Sequence, residues 1–264
     1  MILNLNRATR LPEASPVEDL SNSPGGGLLV IITDPEGFPL NMIFGQEPIN
    51  TEDEHYEKIT FNYPDEKTRI RMFNRFQPGP AAVHKVTMLP PSILGHRHAN
   101  YGIKLGHYGL CTRNFDGLHK FYTSNFNLVP TDFVYIEIDD RRVPVTTFMH
   151  LDLGTKPVDH HSFFLSAKPK GAHVHHSSFE VHDFDAQQLG HKWLVQKGFR
   201  PAWGIGRHVL GSQIFDYWWD VSGNMMEHYA DGDLVNQDTP IGYVKAGGDS
   251  LAIWGPEVPT IFLE

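Results

Sequence analysis

Two histidines occupy equivalent places in a sequence pattern that occurs twice. His107 and His176 are each followed by an apolar residue three positions on and by a Phe-Asp pair at positions eight and nine, so the chain contains a repeat with an offset of 69 residues. Imidazole binds metals and exchanges protons near neutral pH. Glu227 lies among methionines and a tyrosine, and a carboxylate in such apolar surroundings needs a cation, because an unpaired buried charge is costly.

These three residues predict a single metal site. Equivalent positions of paired repeats face each other across a pseudo-twofold axis, so His107 and His176 can converge on one point, and Glu227 supplies a third ligand. Two histidines and one carboxylate on one face of an octahedron form the facial triad of non-haem iron(II) oxygenases, which leaves positions open for substrate and dioxygen. Manganese(II) suits the same nitrogen and oxygen ligands.

The repeated unit reads as a βαβββ module, which predicts the α+β fold class. Each copy opens with the strand that carries its histidine and continues into a helix, from Phe115 to about Phe126 in the first copy and from Phe184 to about Lys197 in the second. Further strands are expected at 133–138, 145–151 and 162–165 in the first module, and at 201–204, 212–219 and 224–229 in the second.

The N-terminal region carries only the end of a further module. Residues 28–33 and 38–44 predict two strands joined by the turn Asp34-Pro35-Glu36-Gly37. This segment aligns without a gap with the hairpin that contains Glu227, and Asn41 takes the position of the glutamate. A single hairpin is not stable alone. We therefore expect a truncated N-terminal module that packs on the rest of the chain or on another subunit.

Composition excludes several classes of protein. The formal net charge of −9 argues against a nucleic-acid partner, which requires a basic surface. No apolar run is long enough to span a membrane and the first residues do not resemble a secretion signal, so we expect a cytoplasmic protein without a membrane partner. The single cysteine, Cys111, excludes internal disulfides and a thiolate zinc site.

The strongest family signal surrounds Glu227. Gly206-Arg207-His208 is followed by Tyr217 nine residues after the histidine, by the turn Asp220-Val221-Ser222-Gly223, and by Glu227 ten residues after the tyrosine. With this pattern, residues 105–236 resemble the catalytic half of the type I extradiol ring-cleavage dioxygenases, in the vicinal oxygen chelate superfamily that also contains the glyoxalases. The family has proline where this chain has Val221, a change that removes no ligand.

The resemblance implies a set of functional residues. It makes His107, His176 and Glu227 the ligands of Fe(II), with Mn(II) as the alternative metal. It also implies that His161, fifteen residues before the second ligand, is the acid–base residue, and that His208 and Tyr217 hydrogen-bond the substrate oxygen. His175, beside the second ligand, is then expected to orient its neighbours.

The resemblance further implies the partners of the reaction. We expect the chain to cleave the ring of a small catechol-type aromatic substrate with O2 and to work as a homo-oligomer. Aromatic residues are expected to line the substrate pocket, namely Phe148, Trp203, Phe215 and Trp218. The sequence does not identify the catechol.

Family comparison also suggests boundaries. We predict a remnant of an N-terminal domain at 1–60, a linker or insertion at 61–104, a catalytic domain of two modules at 105–236 and a C-terminal tail at 237–264. Relatives lack the stretch at 86–104, and a retained intron would explain it. Sequencing the mature transcript tests that hypothesis, which fails if the message encodes these residues.

Other functions fit part of the sequence. A non-redox enzyme of the glyoxalase or epimerase kind uses the same modules and an open metal site, but it leaves His161, His208 and Tyr217 without a task. A metal-free ligand-binding protein does not explain three convergent ligands. A catalytically inactive remnant stays an alternative, because the N-terminal half is incomplete.

Overall fold

The computed structural model describes residues 5–47, 104–168, 171–181 and 183–263. The strands within these ranges are β1 (Glu18–Asp19), β2 (Leu28–Thr33), β3 (Pro39–Phe44), β4 (Lys104–Thr112), β5 (Leu128–Ile138), β6 (Arg141–Leu151), β7 (Val158–Asp159), β8 (Phe163–Ala167), β9 (His173–Glu180), β10 (Pro201–His208), β11 (Ile214–Trp219), β12 (Met225–Ala230), β13 (Leu234–Val235), β14 (Gly242–Lys245) and β15 (Ala252–Trp254). The helices are α1 (Leu5–Ala8), α2 (Phe115–Asn125), α3 (Phe184–Gln196) and α4 (Thr260–Leu263).

Ten strands form one sheet in the order β14-β5-β6-β8-β4-β9-β12-β11-β10-β15. Its centre has an internal symmetry, because β5-β6-β8-β4 and β10-β11-β12-β9 are the same arrangement read from opposite edges. The first strand of each module pairs in parallel with the last strand, β4 with β8 and β9 with β12. The two first strands, β4 and β9, then pair antiparallel and join the modules.

The repeated Phe-Asp pair marks the start of each module's helix. Asn114 and Asp183 cap α2 and α3 by accepting hydrogen bonds from the main-chain N–H groups of Gly117 and Ala186, respectively. The aspartate of each pair lies in the first helical turn, where its negative charge is favourable toward the helix dipole. Thus the motif that revealed the repeat is a helix-start signal.

The hairpin turns at Asp34 and Asp220 have the same geometry. Asp34 Oδ1 accepts hydrogen bonds from the main-chain N–H groups two and four residues on, each at 2.9 Å, and Asp220 Oδ1 does the same at 2.8 and 2.7 Å. Gly37 and Gly223 supply the positive φ that each turn needs, at 94° and 86°. The Asp220 turn forms with Val221 in place of the proline of the family pattern.

The N-terminal hairpin packs on the first module, as predicted. β1, β2 and β3 form a separate three-stranded sheet. Its buried side chains Val30 and Ile32 pack with Phe121 and Phe126 from the region of α2. The contact removes the apolar face of the hairpin from water and covers the outer side of the helix.

The predicted α+β class and paired modules are confirmed, and most strands differ from prediction only at their ends. β5 begins five residues earlier than the predicted 133, because the extended backbone continues through Pro130 at a register shift. The domain boundaries stay predictions. The predicted linker and insertion lie outside the described residues, apart from Lys104. Among the described residues, no helix is long and apolar enough to cross a membrane.

One hydrogen bond is expected to hold the hairpin on the first module. The Tyr122 hydroxyl donates to Asp34 Oδ2 at 3.0 Å, and Asp34 is 4% exposed. Tyr122→Phe should lower the free energy of unfolding by about 1–3 kcal/mol, because it leaves a buried carboxylate oxygen without its donor. Urea denaturation measures this loss.

Tyr243→Phe is the matched control, because Tyr243 is 56% exposed. It should change the free energy of unfolding by no more than about 0.5 kcal/mol. Equal stability of Tyr122→Phe and the unmodified chain would show that the bond does not hold the hairpin.

Candidate metal centre

Three neighbouring strands bring the candidate ligands together. His107 lies on β4, His176 on β9 and Glu227 on β12, and these strands are adjacent at the centre of the sheet. The β4–β9 ladder has a register shift beside His107. There the main-chain N–H of His107 donates to Ser178 Oγ at 2.7 Å instead of continuing the ladder. Ser178 thus satisfies the backbone at the irregularity that presents His107.

The distances between the three side chains are those of a compact ligand cluster. His107 Nε2 lies 2.9 Å from His176 Nε2 and 3.1 Å from Glu227 Oε2, and His176 Nε2 lies 3.7 Å from the same oxygen. One possible ligand atom from each residue falls within 4.8 Å of the others. Among the described residues, this is the group of three or more His, Cys, Asp or Glu side chains that can hold a metal ion.

The environment of Glu227 fits a bound cation. Glu227 is 0% exposed, and neither carboxylate oxygen accepts a hydrogen bond from a described residue. Burying a carboxylate that accepts no hydrogen bond costs free energy. A divalent ion coordinated by Glu227, His107 and His176 would remove that cost. His107 and His176 are each 3% exposed, so the same ion would be shielded from water on the protein side.

The pKa values favour the protonation states that metal ligands need. Burial alone raises the pKa of Glu227, but the adjacent imidazoles of His107, His208 and His176 outweigh this effect and hold the pKa well below its usual range. Burial lowers the pKa of His176 well below its usual value, and the neighbouring His175 adds to the shift. An ionised carboxylate and a neutral imidazole are ready to bind a metal.

The three other predicted site residues lie beside the cluster. The ring of His161 is centred 4.0 Å from that of His107, and the ring of Tyr217 is centred 5.0 Å from that of His176. His208 Nε2 lies 3.7 Å from Glu227 Oε1. The six residues predicted from the sequence therefore form one group, although their catalytic roles remain predictions.

His208 and Tyr217 form a hydrogen-bonded pair of defined polarity. His208 Nδ1 lies 2.8 Å from the Leu251 carbonyl oxygen, which can only accept, so this nitrogen carries a proton. His208 Nε2 lies 2.9 Å from the Tyr217 hydroxyl, and if the ring carries only the Nδ1 proton, Nε2 accepts the hydrogen of that hydroxyl. Burial and the charge of Glu227 raise the pKa of Tyr217 well above its usual value. The pair therefore offers a neutral phenol next to the metal ligands.

His161 is a neutral imidazole at the wall of a cavity. Burial lowers its pKa well below the usual value, and the nearby His107 and His160 lower it further. The cavity has a volume of about 380 Å³, within the range for small-molecule sites, and both candidate histidine ligands line it. A neutral histidine there can accept a proton from a bound hydroxyl.

The predicted aromatic lining is correct only for Phe148. Trp203 and Phe215 pack in the core of the second module, and Trp218 is 4% exposed and does not reach the cavity. Trp218 lies on the opposite face of β11 from Tyr217, which lines the cavity. Trp203 and Phe215 share the face of Tyr217, but they pack against each other with ring centroids 4.0 Å apart, a contact that the sequence alone does not show. Phe164 and Phe262 line the cavity instead.

Sequence reasoning missed two groups of residues around the site. The segment predicted as a tail carries Leu251 and Phe262, which line the cavity, and its main chain bonds His208 and His175. The apolar run at 261–263 was the available signal for packing. Asp132, which contacts His160 at 2.6 Å, carried no sequence signal because it lies on a different strand.

Comparisons with known proteins give a relative by sequence and solved structures of similar fold. No family model matches the chain. The chain is 36% identical over 134 residues to metapyrocatechase 2 of Cupriavidus necator, a match that covers 50% of this chain and 40% of the relative. The matched segment therefore spans about two fifths of the curated relative's length.

Two solved structures illustrate the shared fold. The Mn(II)-bound glyoxalase of Novosphingobium aromaticivorans has a TM-score of 0.65 and 17% identity, and the match covers 94% of this chain and 64% of the glyoxalase. Homoprotocatechuate 2,3-dioxygenase of Arthrobacter globiformis has a TM-score of 0.63 and 19% identity, with 96% and 65% covered. By sequence, half of the chain is similar to metapyrocatechase 2, and by fold the chain is similar to solved structures of a glyoxalase and of extradiol ring-cleaving dioxygenases.

Proposed function

We propose that the chain is a metal-dependent extradiol dioxygenase that cleaves the ring of a small catechol with O2. In this reaction both atoms of O2 enter the product. The ring opens between one hydroxylated carbon and the adjacent carbon that carries no hydroxyl group. The four electrons needed to reduce O2 come from the substrate, so no external reductant is consumed. The proposal names Fe(II) as the metal, with Mn(II) as the alternative, because the donor set is two imidazoles and one carboxylate.

The observation that carries the proposal is the position of His161, His208 and Tyr217 beside the ligand cluster. The shared fold does not by itself select a reaction, since a glyoxalase and a dioxygenase both have it. A non-redox isomerase would have no use for a neutral base and a histidine–tyrosine pair together. A catechol has two hydroxyl groups that must lose or share protons, and these three residues suit that need.

The protein's residues divide the work in the proposed reaction. His107, His176 and Glu227 would hold the ion on one face. The bound ion would supply Lewis-acid activation of the catechol oxygens and a binding position for O2. His161 would take the proton of a substrate hydroxyl and later return it to the leaving oxygen. On substrate binding, the Tyr217 hydroxyl would turn its single hydrogen from His208 Nε2 to the substrate oxygen and stabilise the charge there.

Apolar side chains would hold the aromatic ring and keep water out. Phe148, Phe164 and Phe262 line the cavity with Val134 and Leu251. This apolar lining supports an aromatic substrate such as a catechol. Homo-oligomerisation and a cytoplasmic location stay predictions.

Metal binding tests the ligand assignment. The purified full chain should bind about one equivalent of Fe(II) or Mn(II) in anaerobic titration, and Glu227→Gln should lower the affinity by at least 100-fold, on the order expected for loss of a charged ligand. His173→Gln is the control, because His173 is an exposed histidine on the same strand as His176. Unchanged affinity in Glu227→Gln would refute the assignment.

Turnover tests the reaction class. The Fe(II)-loaded chain should convert catechol or 2,3-dihydroxybiphenyl to a yellow product with one O2 consumed per substrate. His161→Gln should reduce kcat by roughly 10²- to 10⁴-fold through loss of acid–base catalysis. Tyr217→Phe should reduce it by roughly 10- to 100-fold through loss of one hydrogen bond to a charged oxygen. Both variants should still bind the metal.

The alternatives give different results. Stoichiometric metal binding without O2 uptake on any catechol would favour a non-redox enzyme. Folded protein that binds catechols but no metal would favour a ligand-binding protein, and folded protein that binds neither would favour an inactive remnant.

A further inference from the structure

The side chain of His160 connects His161 to the carboxylate of Asp132. His160 Nε2 lies 2.6 Å from Asp132 Oδ2, and His160 Nδ1 lies 3.0 Å from His161 Nδ1. Both histidines are 4% exposed. We propose that His160, anchored by Asp132, is a positioning residue that fixes which ring nitrogen of His161 carries the proton. The inference rests on the proposed function in assigning acid–base chemistry to His161.

The direction of the hydrogen bonds that link Asp132, His160 and His161 follows from the carboxylate of Asp132. A carboxylate only accepts hydrogen bonds, so His160 Nε2 carries the proton in the contact with Asp132. The Nδ1 atom of a neutral His160 is then an acceptor, and His161 Nδ1 must donate to it. A neutral His161 consequently has its lone pair on Nε2. The neutral state of His160 is part of the proposal, because a protonated His160 would donate from both ring nitrogens and leave the lone pair of His161 on Nδ1.

The surroundings hold His160 in this orientation. The Thr131 hydroxyl donates to the His160 carbonyl oxygen at 2.7 Å, and the His160 main-chain N–H donates to the Asp233 carbonyl oxygen at 3.0 Å. Gly211 leaves room for the ring, because a Cβ there would lie 2.9 Å from His160 Nδ1. The ring therefore lies in a fitted site between strands and is not a mobile surface side chain.

The consequence concerns the edge of His161 that faces the substrate cavity. His161 lines the cavity, and its Nδ1 is engaged by His160, which does not line the cavity. Nε2 is left as the nitrogen available to a hydroxyl group in the cavity. A lone pair there can accept a proton from a catechol, whereas the other tautomer would present an N–H and could not.

A similar arrangement of two adjacent histidines occurs at the second candidate ligand, His176. His175 Nδ1 lies 2.7 Å from His176 Nδ1, and His175 Nε2 lies 2.9 Å from the Phe262 carbonyl oxygen. A carbonyl oxygen also only accepts, so the same reasoning gives His176 a proton on Nδ1 and a lone pair on Nε2. That nitrogen is the one in the ligand cluster. In both His-His pairs the first histidine sets the tautomer of the second.

Nuclear magnetic resonance tests the proposal without turnover. Two-bond 1H–15N spectra of the 15N-histidine-labelled full chain, loaded with diamagnetic Zn(II), distinguish the two tautomers, and His161→Gln identifies the His161 signals. We expect His161 protonated on Nδ1 in the unmodified chain. In His160→Phe and Asp132→Asn, a substantial population of His161 should become protonated on Nε2. The first variant lacks the acceptor for the His161 Nδ1 proton, and the amide introduced by the second can donate to His160 as well as accept from it. Protonation on Nε2 in the unmodified chain, or an unchanged tautomer in both variants, would overturn the proposal.

Kinetics separate positioning from structural damage. The kcat for catechol should fall by about 10- to 100-fold in Asp132→Asn, and by less than about threefold for 4-nitrocatechol, whose acidified hydroxyl needs less help from a base. KM should change little for either substrate. Glu137→Gln is the matched control, because it removes a carboxylate from the same strand at an exposed ion pair. Equal loss on both substrates would contradict the proposal.

The two experiments also separate this inference from the proposed function. If the unmodified chain cleaves no catechol, the proposed function fails, but the tautomer of His161 is still measured by resonance. If the chain is active and its tautomer does not respond to Asp132 or His160, only the positioning role fails.

Discussion

The structure depends on one electrostatic constraint, a buried carboxylate at the centre of a continuous sheet. Glu227 is fully enclosed, and its carboxylate oxygens lie within 4 Å of the ring nitrogens of three imidazoles, His107, His176 and His208. Such a charge is tolerated only where a cation can reach it. The pairing of β4 with β9, the register shift at His107 and the parallel packing of β12 beside β9 bring His107 and His176 to it.

Hydrogen bonds around this centre end on groups that can only accept a hydrogen. The carboxylate of Asp132 and the carbonyl oxygens of Leu251 and Phe262 can only accept, and each is bonded to a histidine ring. A fixed acceptor at one end of a series of neutral imidazoles determines which nitrogen of each ring carries the proton. In the proposed arrangement, Asp132 and the Phe262 carbonyl oxygen thereby place a lone pair on Nε2 of His161 and of His176.

The two modules have the same fold but contribute different candidate ligands to the site. Symmetry supplies His107 and His176 from equivalent first strands, while Glu227 comes only from the last strand of the second module. The N-terminal hairpin has the same turn geometry as the hairpin of Glu227, but Asn41 takes the place of the carboxylate and is exposed. The same hairpin thus carries the candidate ligand Glu227 in the second module, whereas its N-terminal copy packs on α2.

The sequence by itself determined the α+β modules and their helix starts, because these signals are local or are repeated along the chain. It also gave six candidate site residues, of which His161, His208 and Tyr217 followed only from the family resemblance. Tertiary structure alone decided that Asp132 meets His160, and that Leu251 and Phe262 from the C-terminal segment reach the cavity. It also decided that Phe148 lines the cavity while other aromatic residues fill the core. Such contacts depend on which strands become neighbours and which face of each turns inward, and neither is encoded in a local pattern.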